Sequence, residues 1–213
     1  MVRPIGQPTL WPNIDPRPMD PRPMTPHLNT YTNRRVNPLA LKRTDVSVVD
    51  IAHGLALCNR FAGHTSEPIS VAQHSVWVSK LVEGTGAEMQ ALFHDASEAY
   101  LGDVTKWLKG SPTMAAYREA EERTSATILS ALGLSTVLSP AVKDADKVMV
   151  CWEAEQGIRG FFDYEMPPGY HPVVEGEIRN QLSREWEFIS WQEAENQFRL
   201  RANELAARRC PRP

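Results

Sequence analysis

Apolar residues recur at helical rather than alternating spacing along most of the chain. Ile51, Leu55 and Cys58 repeat three to four residues apart, after Ser47 and Asp50 in a capping-box arrangement. Ser70 is placed to cap a second helix, in which Val71, His74, Val78 and Leu81 share a face, and Gly84 and Gly86 end it. A third helix is expected over about 87–101, stopping near Gly102, and a fourth from about Pro112 to Leu132. Ser139 and Pro140 mark another start, with proline in the first turn, for a helix reaching Gly157. The polar segment EGEIRNQLSREW adds a further helix. Ser190 and Glu193 form a second capping box for a helix over about 191–207, with Trp191, Ala194, Phe198 and Leu205 near one side, for core packing or alternatively a dimer interface. TYTNRRVNPLAL (30–41) is read as a short strand or hairpin turning at Asn33, and the stretches 61–68 and 160–172 as loops. Nothing else alternates as strands do. The expected fold is all-α, a packed helical bundle.

The first 26 residues break this pattern. They hold eight of the seventeen prolines and a tandem DPRPM at 15–19 and 20–24. Fixed φ angles and missing N–H groups exclude helix there and predict an extended arm. The expected organisation is an arm over 1–29, a bundle over 30–207 and a tail over 208–213.

At 213 residues, 42% hydrophobic and 23% charged, the chain has an ordinary globular balance. Its net charge of −3 gives no global field for nucleic acid. The three cysteines (Cys58, Cys151 and Cys210) are widely spaced without a CxxC, which fits neither a disulfide framework nor a cysteine zinc site. The expectation is a cytoplasmic protein without a membrane or nucleic-acid partner.

Four residues sit awkwardly in this pattern. His94 and Asp95 stand side by side among Ala91, Leu92 and Ala99. His74 lies between Val71 and Val78, and Asp146 shares its face with Val142, Met149 and Val150. A lone histidine on an apolar face is ordinarily a hydrogen-bonded core residue, and a lone aspartate an ion-paired one. Three such anomalies on three helices are better explained together, because a cation offsets the cost of burying carboxylates. A mixed imidazole and carboxylate set suits one divalent ion (Mn, Fe, Co, Ni, Zn or Mg) with positions left open.

SVAQHS (70–75), FHDASEAYLGD (93–103) and VKDADKVMVCWEAE (142–155) resemble the H…HD…D motifs of the HD-domain phosphohydrolase superfamily. The branch most similar holds bacterial five-prime deoxynucleotidases and phage deoxynucleotide (dATP-type) triphosphohydrolases. LALCNRFAGHT (55–65) looks like that branch's arginine–aromatic pair, and YREAEERTSATIL (117–129) like its intervening helix, so the likeness spans roughly 48–160. The resemblance implies an all-α HD-domain bundle and a metal held by His74, His94, Asp95 and Asp146. It implies that Glu98 is the catalytic carboxylate; three residues past Asp95, Glu98 can overhang a bound ion without ligating it. Arg60, Phe61, Asp103 and Lys109 correspond to substrate-side residues, with Arg60 suited to phosphate and Asp103 to the sugar. The branch also uses tryptophan where Phe61 stands, which leaves base and sugar selectivity open. Lys106 has no clear counterpart and is assigned to phosphate on charge alone, while His53 and His64 are read as supporting the site or facing the substrate, with structural hydrogen bonding as the alternative.

The implied activity is hydrolysis of deoxynucleotides, either triphosphate release from a dNTP or removal of a 5′-phosphate. A homo-oligomer, dimeric or larger, is implied, in a host cytoplasm if the protein is phage-encoded. Alternatives are a phosphodiesterase acting on a cyclic nucleotide or alarmone, and a nucleotide-sensing module without catalysis. Two-metal diesterases need more histidines, and two of the six here, His27 and His171, lie outside the matched region.

Overall fold

The computed structural model describes residues 25–161, 166–167, 169–170 and 174–209. Of the arm expected over 1–29, the first 24 residues lie outside them, as do the end of the tail and parts of the 160–172 loop, while residues 28–29 form a strand. The described residues are mostly helical. A two-stranded antiparallel ribbon, β1 (Leu28–Asn29) with β2 (Arg35–Val36), is their one sheet. Asn33 turns it at a left-handed φ of 60°, which asparagine tolerates.

Helix α1 (Val48–Leu57) begins where the Ser47 side chain accepts the Asp50 amide. The expected reciprocal half of that capping box is absent. The Asp50 carboxylate instead accepts the Thr32 amide at 2.7 Å and the Thr32 hydroxyl at 2.8 Å, tying the ribbon's turn to the bundle. Helix α2 (Val71–Leu81) is capped by Ser70, which accepts the Gln73 amide. Residues 71–79 are all buried, as expected of a helix with neighbours on every side. Val71, Ala72 and Val76 face a core shared with Ile51, Leu55, Leu92, Phe93 and Phe198. Trp77, Val78 and Val82 face a second, with Val142, Met149, Trp152 and Leu182.

The single helix expected over 87–101 is two short ones, α3 (Glu88–Leu92) and α4 (Glu98–Leu101). Between them the amides of His94, Ala96 and Glu98 bond three residues back, to Ala91, Phe93 and Asp95. That is the tighter 3-10 winding. Small residues at 96, 97 and 99 permit it, and α4 lies close against α1. A Cβ on Gly54 of α1 would stand 3.0 Å from the Ala99 carbonyl oxygen.

Helix α5 (Lys106–Lys109) falls where a connection was expected. It precedes α6 (Ala115–Ala131), which packs on 3-10 turns at 38–40 and 43–45. Helix α7 (Pro140–Gly157) starts at the predicted Ser139–Pro140 cap and lies along α2. Then come α8 (Gly176–Glu185) and α9 (Trp191–Arg209). Helix α9 closes over α1, α2 and α3, burying Ala194, Phe198 and Leu205. Trp191 is not part of that buried face: it is 42% exposed and meets His53 edge-on. Ser190 caps α9 through the Glu193 amide, but the Glu193 carboxylate accepts from Gln197 instead of returning to the cap.

Candidate metal centre

Helix α2 supplies His74 from between the two cores, the tight turn after α3 supplies His94 and Asp95, and α7 supplies Asp146. One ligand atom from each lies within 4.8 Å of all the others, so this group could hold a metal ion. Both imidazoles are buried, while the carboxylates of Asp95 and Asp146 are partly open to a cleft.

The outer edges of the imidazoles fix their inner edges. His94 Nδ1 lies 2.7 Å from the Ala91 carbonyl oxygen, which can only accept, so the proton is on Nδ1. His74 Nδ1 donates to Glu153, 3.0 Å from Oε1 and 3.1 Å from Oε2. Both Nε2 atoms therefore face the carboxylates. His74 Nε2 is 3.2 Å from Asp146 Oδ1 and 3.7 Å from Asp95 Oδ2, and His94 Nε2 is 3.2 Å from Asp95 Oδ2. Neither Nε2 makes a hydrogen bond of acceptable geometry. Four donors aim between one another rather than at one another, and outer partners orient the imidazoles, as they do around metals.

The electrostatics agree. Burial works against charge on His94, yet Asp95 and Asp146 carry it well above the ordinary histidine range. Burial and Arg60 oppose charge on His74, but Glu153 and Asp146 outweigh them. Burial pushes the carboxyl groups of Asp95 and Asp146 up, and the two histidines more than reverse that, holding both low. The cluster thus favours positive charge at its centre; protons supply it without metal, and a divalent ion competes with them.

The cleft encloses about 630 Å³. Of the residues given substrate-side roles, Arg60, Phe61, His64, Asp103, Lys106 and Lys109 line it. Glu98 lines it too, brought to the side of Asp95 by the three-residue winding. The Glu98 carboxyl is pushed well above its ordinary range by burial, with Asp95 and Asp103 adding and Lys109 opposing. Its Oε2 is buried without a hydrogen-bond partner. Lys109 Nζ bridges Glu98 at 3.4 Å and Glu121 at 2.7 Å. Lys106 donates to the Tyr170 hydroxyl at 2.6 Å and sits over its ring. Phe61, on the cleft wall, and the adjoining Ala62 hold left-handed backbone at φ 54° and 52°.

His53 does not line the cleft. It stacks on Tyr31 with ring centroids 3.8 Å apart and pairs with Glu195 at 2.9 Å, joining α1 to α9. Of the two readings open for His53, the structure shows the structural hydrogen bond and no place in the cleft.

Sequence reading missed Glu153, Glu121 and Tyr170. Glu153 had one available signal: it lies two helical turns beyond Asp146, on the same side of α7 as Met149 and Val150.

No family model matches the chain. It is similar to the uncharacterized protein YfdR of Escherichia coli (strain K12), 36% identical over 150 residues that cover 70% of this chain and 79% of that protein. It is also similar to the uncharacterized protein RCAP_rcc00048 of Rhodobacter capsulatus, 36% identical over 146 residues that cover 63% of this chain and 74% of that one. An identity of that level across most of both chains means that this protein belongs to the same family as YfdR.

Proposed function

We propose that this protein is a metal-dependent phosphohydrolase of the HD-domain type, acting on deoxynucleotides. One observation carries the reading: two imidazole nitrogens without hydrogen-bond partners and two carboxylates converge beside a cleft whose wall holds a buried, partner-free carboxyl oxygen, Glu98 Oε2.

His74, His94, Asp95 and Asp146 would hold the ion. When bound, a divalent ion supplies Lewis acidity, offsetting phosphate charge and making water easier to deprotonate. Glu98 takes the proton of the attacking water at a carboxyl oxygen as the new P–O bond forms. The ester P–O bond breaks, and the same proton returns to the departing oxygen. A carboxyl raised by burial suits both halves of that exchange. Arg60, with Nη1 3.6 Å from Asp95 Oδ2, is placed to meet phosphate oxygens beside the ligand carboxylate. Phe61 and Asp103 supply a flat apolar surface and a hydrogen-bond acceptor for the nucleoside. Among the described residues one four-donor group is gathered, which favours a single-ion centre over a two-ion diesterase.

The test is turnover of all deoxy- and ribonucleoside mono-, di- and triphosphates with Mn, Co, Zn or Mg, the products being separated by chromatography. The expected result is release of phosphate or triphosphate from a deoxynucleotide, lost in Glu98→Ala with metal retained. Absence of both bound metal and turnover sinks the hydrolase reading.

A further inference from the structure

Glu153 is fully buried on α7, and its carboxylate serves two donors. His74 Nδ1 lies 3.0 Å from Oε1, and Arg60 Nε lies 3.2 Å from Oε2. One donor belongs to a candidate metal ligand. The other belongs to a cleft-lining guanidinium that is itself only 9% exposed. Asp95 Oδ2, 3.6 Å from Arg60 Nη1 and 3.7 Å from His74 Nε2, closes the circuit on the cleft side.

We infer that Glu153 is a shared positioning residue, setting the direction of His74 Nε2 toward the metal and of Arg60 toward the substrate's phosphate, so that the cation site and the anion site form one unit. The inference rests on the proposed function and adds a residue and a coupling to it. A buried ion pair is weak evidence for stability, because desolvation offsets its attraction. Its geometric effect is not offset. Holding Arg60 at Nε leaves the terminal nitrogens for the cleft, where a tetrahedral oxyanion can take two parallel hydrogen bonds. The negative charge on the outer edge of His74 also makes its Nε2 a stronger ligand.

An amide cannot replace this carboxylate. Glutamine offers one oxygen, so turning it to His74 presents an NH₂ group to Arg60, and turning it to Arg60 presents one to His74. The experiment titrates metal-free wild type, Glu153→Gln, Glu153→Asp, Arg60→Met and the Glu153→Gln/Arg60→Met pair with Mn(II). Free ion is read by electron paramagnetic resonance, and inorganic phosphate is then titrated into the Mn(II)-loaded proteins. Glu153→Gln is expected to weaken Mn(II) about 10–100-fold. Arg60→Met is expected to weaken phosphate about tenfold or more with little change in Mn(II) affinity. In the pair, the Arg60 change should add much less to the phosphate loss than it does alone. Glu153→Asp, which keeps the charge at shorter reach, should recover part of the Mn(II) affinity. It also stands in if the glutamine variant does not fold, and Mn(II) affinity in Glu153→Asp equal to wild type then overturns the inference. Wild type that binds no Mn(II) overturns the metal reading itself. Wild type that binds it, with unchanged affinity in Glu153→Gln and additive phosphate losses, overturns the role of Glu153 alone.

Discussion

His94 Nδ1 lies 2.7 Å from the carbonyl oxygen of Ala91, one tight turn earlier in the chain. The bond exists because the backbone leaves regular α-helix between α3 and α4: the His94 amide is 3.5 Å from that same oxygen, leaving room for the ring. The proposed metal binding would therefore be built into a folded turn and should report on stability. Adding Mn(II) at a hundred times its dissociation constant should stabilise the protein by about 2.7 kcal/mol. A chelator should reverse the rise in melting temperature, and His94→Gln should abolish it. An unchanged melting curve with Mn(II) would count against the site.

Asp95 and Glu98 are neighbours to which the proposed function gives separate duties. Asp95→Ala should lose most bound metal, whereas Glu98→Gln should keep it and lose at least a hundredfold in turnover, the usual scale for a general base. Metal content by mass spectrometry beside initial rates distinguishes them. Metal retained in Asp95→Ala would remove it from the ligand set.

The raised carboxyl of Glu98 carries a pH signature in the metal-free protein. Its folded pKa lies above its unfolded value, so the folded state holds the proton more tightly. The stability it contributes is complete below about 4.3, the ordinary glutamate value, and is lost as pH rises through the folded pKa. Glu98→Gln removes that loss. The metal-free variant should match wild type in acid and exceed it at neutral pH in chemical denaturation. A constant difference across the range would contradict the assignment.

Gly54 and Ala99 set the spacing between α1 and α4. A methyl group at 54 would press on the Ala99 backbone, which cannot swing aside as a flexible side chain can. Gly54→Ala should cost about 1–3 kcal/mol and shift Glu98 with its helix. Turnover should fall more than metal affinity, because α2 and α7 are untouched.

Ala62 is exposed and left-handed, a placement costing an L-residue about 1–2 kcal/mol. Ala62→Gly should stabilise by a net amount of about 0.5–1 kcal/mol, part of the relief being offset by glycine's freedom in the unfolded chain. Denaturant midpoints at constant slope measure it. A lowered midpoint would mean that the strain lies elsewhere.

Helix starts were legible wherever a side chain caps locally. Ser70, Ser139 and Ser190 each bond an amide three residues on, within reach of sequence reading. The break after Leu92 was not, because five residues are too few to separate a period of 3.0 from one of 3.6 and alanine and serine suit both. The four ligand candidates stood out because each was polar among apolar neighbours. Glu153 did not, since an acid late in a helix reads as solvated and its partners, His74 and Arg60, lie 79 and 93 positions away. Both expected capping boxes were half right. Asp50 and Glu193 had better partners in Thr32 and Gln197 than the cap amide. Trp191 read as core by spacing alone, and the spacing did not reveal that its helix begins beyond the edge of the bundle.

The fully surrounded helix α2 divides the centre in time as well as in space. His74 cannot move unless both cores open, so amides around it should exchange with solvent only through global unfolding. Lys109 rides on α5, a four-residue helix without a buried residue, and can open locally without disturbing His74. Under the proposed function, the centre would join a slow half that retains an ion to a fast edge that can release a product.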